Sequence, residues 1–143
     1  MSRTRFAIAA ATLTVSLSAC GNDTTTSPSG TSTSPQTEFF SGTVWPGSET
    51  SYAFDVTQDG LVTETLGSVT APGGSRAAVD ASLTIGFGVP SGTGCGRSMS
   101  ATAQPGLMPQ LGATAPTGIH CADVSAPADA PGPLDFVLRI VHP

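Results

Sequence analysis

The sequence predicts an all-β fold: a single antiparallel β-sandwich of about six to eight strands, jelly-roll-like or immunoglobulin-like in arrangement. Two observations support this prediction. Between residues 38 and 143, fifteen glycines and ten prolines separate short apolar runs, as turns separate strands. Apolar and polar residues alternate within those runs, and no segment repeats apolar residues at helical spacing over three turns.

The individual strands follow from the alternating runs. The clearest runs cover residues 52–56, 83–87 and 134–140, and weaker strands are expected over 38–44, 61–69, 98–104 and 120–124. Residues 105–116 are rich in proline and glycine and predict a long loop. Glu64 falls between Val62 and Leu66 on the face that would be buried. Either this run is therefore an edge strand with Glu64 at its rim, or its register differs there.

The first twenty residues predict an export signal. Arg3 and Arg5 precede an apolar stretch over residues 6–19, which is shorter than the roughly 20 residues of a transmembrane helix. The stretch ends in Leu-Ser-Ala-Cys at 17–20 and resembles the lipobox of bacterial lipoproteins. The resemblance implies that residues 1–19 are removed and that Cys20, acylated with palmitate or a similar chain, anchors the protein. The alternative is an ordinary secretory signal with a cysteine near its cleavage site.

The segment after the lipobox predicts a tether. Residues 21–37 contain six threonines, four serines, two prolines, two glycines and no hydrophobic residue, a composition typical of a disordered linker. Residues 20–37 would therefore join the lipid to a domain over 38–143. Gly21, where some bacteria use aspartate to retain lipoproteins in the inner membrane, favours the outer membrane. We expect a cell-envelope protein whose domain lies in the periplasm or on the cell surface.

The charge of the chain argues against several classes of partner. Without the leader, three arginines remain against ten acidic residues, and the net charge is −7 with no lysine. No basic patch is available for phosphates, so nucleic acid is not an expected partner. Anionic lipid head groups would repel the domain as well. We therefore expect the protein to meet the membrane only through the lipid on Cys20. We also expect it to be a monomer.

The two remaining cysteines predict a disulfide bond. Cys95 and Cys121 would lie in an oxidising compartment, where pairing is the rule. Adjacent strand residues point to opposite faces, so Cys121 points away from the core if His120 points into it. The bond is then expected toward the outside or rim of the sandwich.

Nothing in the sequence predicts catalysis. His120 is expected to be a structural core residue, and the penultimate His142 is expected to be solvated. The nucleophile, zinc-binding and phosphate-binding motifs of common enzymes do not occur. We therefore expect no catalytic residue, no metal ligand, no cofactor and no enzymatic activity.

Several segments resemble the bacterial pre-peptidase C-terminal (PPC) domain. The similar segments have the residues FSGTV at 40–44, YAFDV at 52–56, DGLV at 59–62, DASLTIGFG at 80–88 and GIHCADV at 118–124. The resemblance implies a jelly-roll-like β-sandwich that serves as a non-catalytic accessory to secreted enzymes. Two differences from the family are that no catalytic domain is expected beside this one and that His120 stands where the family commonly has an aromatic residue.

These observations lead to a hypothesis with two alternatives. We expect a lipid-anchored, non-catalytic envelope module that binds a partner protein or a glycan. The first alternative is a structural or surface-coating lipoprotein without a specific ligand. An exposed aromatic cluster would favour binding, but its candidates Phe39, Phe40 and Trp45 are expected in the core at the sandwich edge.

The second alternative is a calcium-binding accessory domain of a secreted hydrolase system, as in some PPC domains. The hard oxygen ligands that calcium prefers are present in or beside predicted loops. They do not follow EF-hand spacing, and no subset of them is singled out as a site. These residues are Asp55, Asp59, Asp80, Asp123, Asp129 and Asp135.

Overall fold

A computed structural model describes residues 34–72 and 78–143. The predicted signal peptide, Cys20 and the linker up to residue 33 lie outside the described residues. The described part confirms the all-β prediction, and it contains no helix long and apolar enough to cross a membrane. Its eight strands are β1 (Gln36–Val44), β2 (Glu49–Val56), β3 (Gly60–Thr70), β4 (Leu83–Ser91), β5 (Gly94–Ala103), β6 (Leu111–Ala115), β7 (Gly118–Ser125) and β8 (Leu134–His142).

The strands form two antiparallel four-stranded sheets. The first sheet has the order β1-β8-β3-β6 and the second the order β2-β7-β4-β5. This interleaved order is that of a jelly roll, which is one of the two predicted arrangements. β1 and β8 pair along their whole length, from Gln36 opposite His142 to Val44 opposite Leu134. The first and last strands therefore lie side by side, and β1 begins two residues before the predicted strand.

The core lies between the sheets and is built by alternation. In β8 every second side chain from Leu134 to His142 is buried, while the intervening ones are partly exposed. Burial of each large apolar side chain contributes roughly 1.5–3 kcal/mol before the entropy of ordering is subtracted. The largest fully buried apolar side chains are Val44, Val56, Val62, Leu66, Val69, Leu83, Ile85, Phe136, Leu138 and Ile140.

Two predictions about the end of the chain were wrong. Residues 111–115, within the predicted loop, form β6, whose Leu111, Ala113 and Ala115 are buried. The alternation was missed because alanine and glycine differ little in hydropathy.

His142 is 1% exposed rather than solvated, because it continues the inward face of β8. Its Nε2 lies 3.0 Å from Glu38 Oε1, and its ring packs 5.3 Å from that of Phe54.

Glu64 is a buried acid on an internal strand. It is 1% exposed, and β3 is paired on both sides there, with Leu111 of β6 and Ile140 of β8. Both alternatives for this run are therefore wrong: the strand is not at an edge, and its register does not differ, since Val62, Glu64 and Leu66 are all buried. Neither carboxyl oxygen has a hydrogen-bond partner among the described residues. Burial, followed by the negative charge of Asp123, raises the pKa of Glu64 to about 8, so the side chain is mostly protonated at neutral pH.

Candidate functional site

On the outer face of the second sheet, a disulfide bond and an ion pair join β5 to β7 across β4. The predicted Cys95–Cys121 disulfide is present, with a Cα–Cα distance of 5.7 Å. It joins β5 to β7 on the outer side of the sheet, as the alternation of β7 predicts. Arg97 of β5 forms an ion pair with the buried Asp123 of β7, and its Nη2 also lies 3.4 Å from Glu49 of β2. These contacts hold the face together internally.

The outer face of the first sheet instead carries open depressions. One of them, called here the polar hollow, has a volume of about 360 Å³ and lies across β1, β8 and β3. Thr43 donates a hydrogen bond of 2.6 Å to Oδ1 of Asp135, although the two residues are 92 positions apart. The side chains that line the hollow are mainly hydroxyls around this carboxylate: Ser41, Thr43, Ser68, Thr70 and Asp135, with Val137 at one side.

A second depression, called here the apolar hollow, adjoins the first. It has a volume of about 160 Å³ and is lined by Phe39, Leu107 and Val137 together with Thr65, Gly67, Gly106 and Arg139. Val137 lines both hollows, so they form one continuous surface. A bulge in β3 helps to shape it: Leu66 pairs with Leu138 and Ser68 with Val137, which leaves Gly67 as an extra residue. Gly67 and Ser68 consequently line one hollow each.

The loop between β5 and β6 forms one wall of the apolar hollow. Arg139 Nη2 lies 3.3 Å from both the Leu107 carbonyl and the Thr65 hydroxyl, so it ties the loop to the sheet. Gln110 holds the loop at the edge of β3, because its Oε1 accepts a 2.8 Å hydrogen bond from the Leu66 N–H. The side chain of Leu107 is nevertheless 87% exposed. The loop therefore presents an apolar side chain to solvent on a well-anchored backbone.

The aromatic residues at β1 divide into two groups. Phe40 lies between the sheets as expected, stacked on Tyr52 with ring centroids 4.8 Å apart. Phe39 and Trp45 are 68% and 63% exposed, so the expectation that they belong to the core was wrong. Phe39 lies on the outer face with the apolar hollow. Trp45 follows the end of β1 in a turn fixed by its backbone hydrogen bonds to the Ser48 side chain.

The predicted structural role of His120 agrees with its surroundings. The residue is buried with its ring stacked on Phe87 at 5.2 Å. Its Nε2 donates a 2.8 Å hydrogen bond to the Pro116 carbonyl, and Nδ1 has no partner within residues 34–72 and 78–143. His120 therefore packs against the core, on the opposite side of β7 from Cys121.

The aspartates do not converge on a metal site. Among the described residues, no group of three or more His, Cys, Asp or Glu could hold a metal ion. Asp123 is paired with Arg97, and Asp135 accepts from Thr43. The backbone N–H and the hydroxyl of Thr117 donate to Asp59 at 2.6 and 3.0 Å and lower the pKa of that carboxyl. The calcium hypothesis thus has no ligand set in this part of the chain.

Comparison with known proteins does not assign this chain to a family. No protein-family model matches the chain, and no curated protein is detectably similar to it. The lipobox and the similarity to PPC domains therefore stay predictions from the residues quoted above.

Proposed function

We propose that this protein is a lipid-anchored, non-catalytic module of the bacterial cell envelope that binds a partner protein or a glycan. Cys20 carries the lipid, and the jelly roll presents its binding face at the end of the linker. The face in question is the outer side of the first sheet, with the polar and apolar hollows.

One observation carries the proposal: the two sheets have unlike outer faces. The second is crossed by a disulfide and an ion pair, whereas the first exposes Phe39 and Leu107 beside a hydroxyl-lined hollow. Apolar side chains next to a few convergent polar groups are typical of binding sites. Phe39 and Leu107 line the same hollow, so their exposed apolar surfaces are adjacent rather than scattered.

Photo-crosslinking in cells tests this proposal on the full chain. A benzophenone-bearing phenylalanine analogue replaces Val137, which lines both hollows. The matched control carries the same analogue at Ile119, which is 56% exposed near the start of β7 in the second sheet. Irradiation is expected to give a discrete adduct at position 137 and none at 119. Equal labelling at both positions, or at neither, would favour the surface-coating alternative.

A further inference from the structure

We propose that the outer face of the first sheet binds a neutral oligosaccharide, with its hydroxyls in the polar hollow and one apolar sugar face on Phe39. This inference rests on the proposed function and names the ligand class of the same site. The step from a general partner to a neutral sugar follows from three properties of the face: its hydrogen-bonding groups, its exposed aromatic ring and its charge.

The polar hollow offers both donors and acceptors at close spacing. Each serine or threonine hydroxyl can donate one hydrogen bond and accept others, and a carboxylate accepts at about four positions. Asp135 accepts one hydrogen bond from a side chain of the described residues, that of Thr43, so capacity remains for the hydroxyls of a ligand. A sugar hydroxyl also donates and accepts. The hollow thus matches a polyol better than an apolar ligand, and at about 360 Å³ its volume lies in the range of small-ligand sites.

The exposed aromatic ring lies at the right distance for a neighbouring sugar unit. Phe39 and Ser41 both point outward from β1, and two residues of a strand span about 7 Å. A chain of sugars can therefore place one ring on Phe39 while the next reaches the hydroxyls of Ser41 and Thr43. Trp45 comes two residues after Thr43 and adds exposed aromatic surface beyond the polar hollow. The layout indicates an oligosaccharide rather than a single sugar.

The charge of the site selects a neutral sugar. Asp135 lies in the polar hollow, and the mature chain carries a net charge of −7. An acidic polysaccharide would meet like charge both in the hollow and over the whole surface. Arg139, at the apolar hollow, is engaged by Thr65 and the Leu107 carbonyl. Uronic acid polymers should therefore bind more weakly than uncharged ones.

Calorimetric titration of the detergent-solubilised mature lipoprotein tests the inference. The probes are neutral hexamers of α-1,4-glucose, β-1,4-glucose, β-1,4-xylose and β-1,4-N-acetylglucosamine, with a galacturonic acid hexamer as the acidic comparison. At least one neutral hexamer is expected to bind. Asp135→Asn and Phe39→Ala should each lower its affinity about tenfold or more, which corresponds to loss of one charge-assisted hydrogen bond or one stacking contact.

Two variants on the other sheet are the matched controls. Ile119→Ala removes an exposed apolar side chain, and Thr102→Val removes an exposed hydroxyl; affinity should stay within about twofold in both. If no neutral hexamer binds, if the acidic hexamer binds best, or if binding survives both site variants, the inference is overturned. A protein adduct at Val137 in cells would then leave the proposed function standing with a protein as the partner.

Discussion

At the scale of single residues, burial decides what a side chain does. Glu64 and Asp123 are both carboxylic acids with almost no exposure, yet their surroundings differ. Asp123 has the guanidinium of Arg97 beside it and forms an ion pair with it. Glu64 has apolar neighbours and no hydrogen-bond partner among the described residues. Because the charged form would lose its hydration without compensation, Glu64 keeps its proton in the folded state.

Because of the buried Glu64, we expect the folded protein to become less stable as the pH rises toward 8. Its pKa is about 8 in the folded protein and about 4.3 in an unfolded chain, so the folded state holds one more proton between these values. The contribution of Glu64 to the free energy of unfolding should therefore be largest below pH 4.3 and fall by up to about 1.4 kcal/mol per pH unit toward pH 8.

The Glu64→Gln variant should lose most of this slope, as measured by urea denaturation between pH 5 and 8. Asp55→Asn, which changes an exposed carboxylate, is the control and should keep it. The same slope in Glu64→Gln as in the unchanged protein would contradict the assignment. The comparison of slopes does not depend on the absolute stability of either variant.

At the scale of elements, the β4–β5 hairpin is linked to β7 by a disulfide bond and an ion pair. β4 lies between β5 and β7, so both links between those strands must pass over it. Glycine at residues 86 and 88 leaves room for these links. A Cβ added at Gly86 would overlap the side chains of Asp123 and Arg97, and one added at Gly88 would overlap the backbone of β5. Gly92, with φ of 60°, allows the two-residue turn that joins the strands. Three glycines thus permit the disulfide and the ion pair.

The disulfide is expected to stabilise this hairpin without being required for the fold. The cysteines are 26 residues apart, and loop entropy assigns such a bond about 3.5 kcal/mol. Replacement of Cys95 and Cys121 by serine should lower the free energy of unfolding by at most this amount and leave a cooperative transition. Reduction of the unchanged protein should give a similar loss. A chain that fails to fold would show that the bond also determines the packing of β5.

At the scale of the whole molecule, the ends of the domain are brought together. β1 pairs with β8 throughout, so the domain begins and ends at neighbouring strands of the first sheet. With three arginines against nine acidic residues over 38–143, a formal net charge of −6, the domain gains nothing from anionic lipid head groups. Membrane attachment is consequently expected to depend on the lipid alone.

Metabolic labelling tests whether a lipid is attached to Cys20. Cells supplied with labelled palmitate should incorporate the label into the unchanged protein, and Cys20→Ser should abolish incorporation because Cys20 is the predicted acceptor of the lipid. Mass analysis of the mature N-terminal peptide should place the acyl chains on Cys20. The Cys95→Ser, Cys121→Ser double variant is the control and should still be labelled. Label retained by Cys20→Ser, or a mature N-terminus elsewhere, would refute the lipobox assignment.

The accuracy of the sequence predictions depended on how local each feature is. Strands with strong apolar contrast, such as Leu134–His142, were recognised because alternation is a property of neighbouring residues. The inward side of β7 and the outward disulfide followed from the same rule. β6 was missed because its inward residues are mostly alanine. Phe39 and Trp45 were misplaced because hydrophobicity alone does not tell a core position from an exposed one.

The sequence by itself determined the fold class, the face to which most strand residues point and the pairing of Cys95 with Cys121. These features depend on the period of a strand and on the chemistry of single residues. The tertiary structure decided which strands are neighbours, and with them the candidate site. Thr43 meets Asp135 only because β1 pairs with β8, and Gly67 and Ser68 line the hollows only because β3 bulges against that strand. Strand pairing minimises the free energy of the whole core, so no local pattern specifies it.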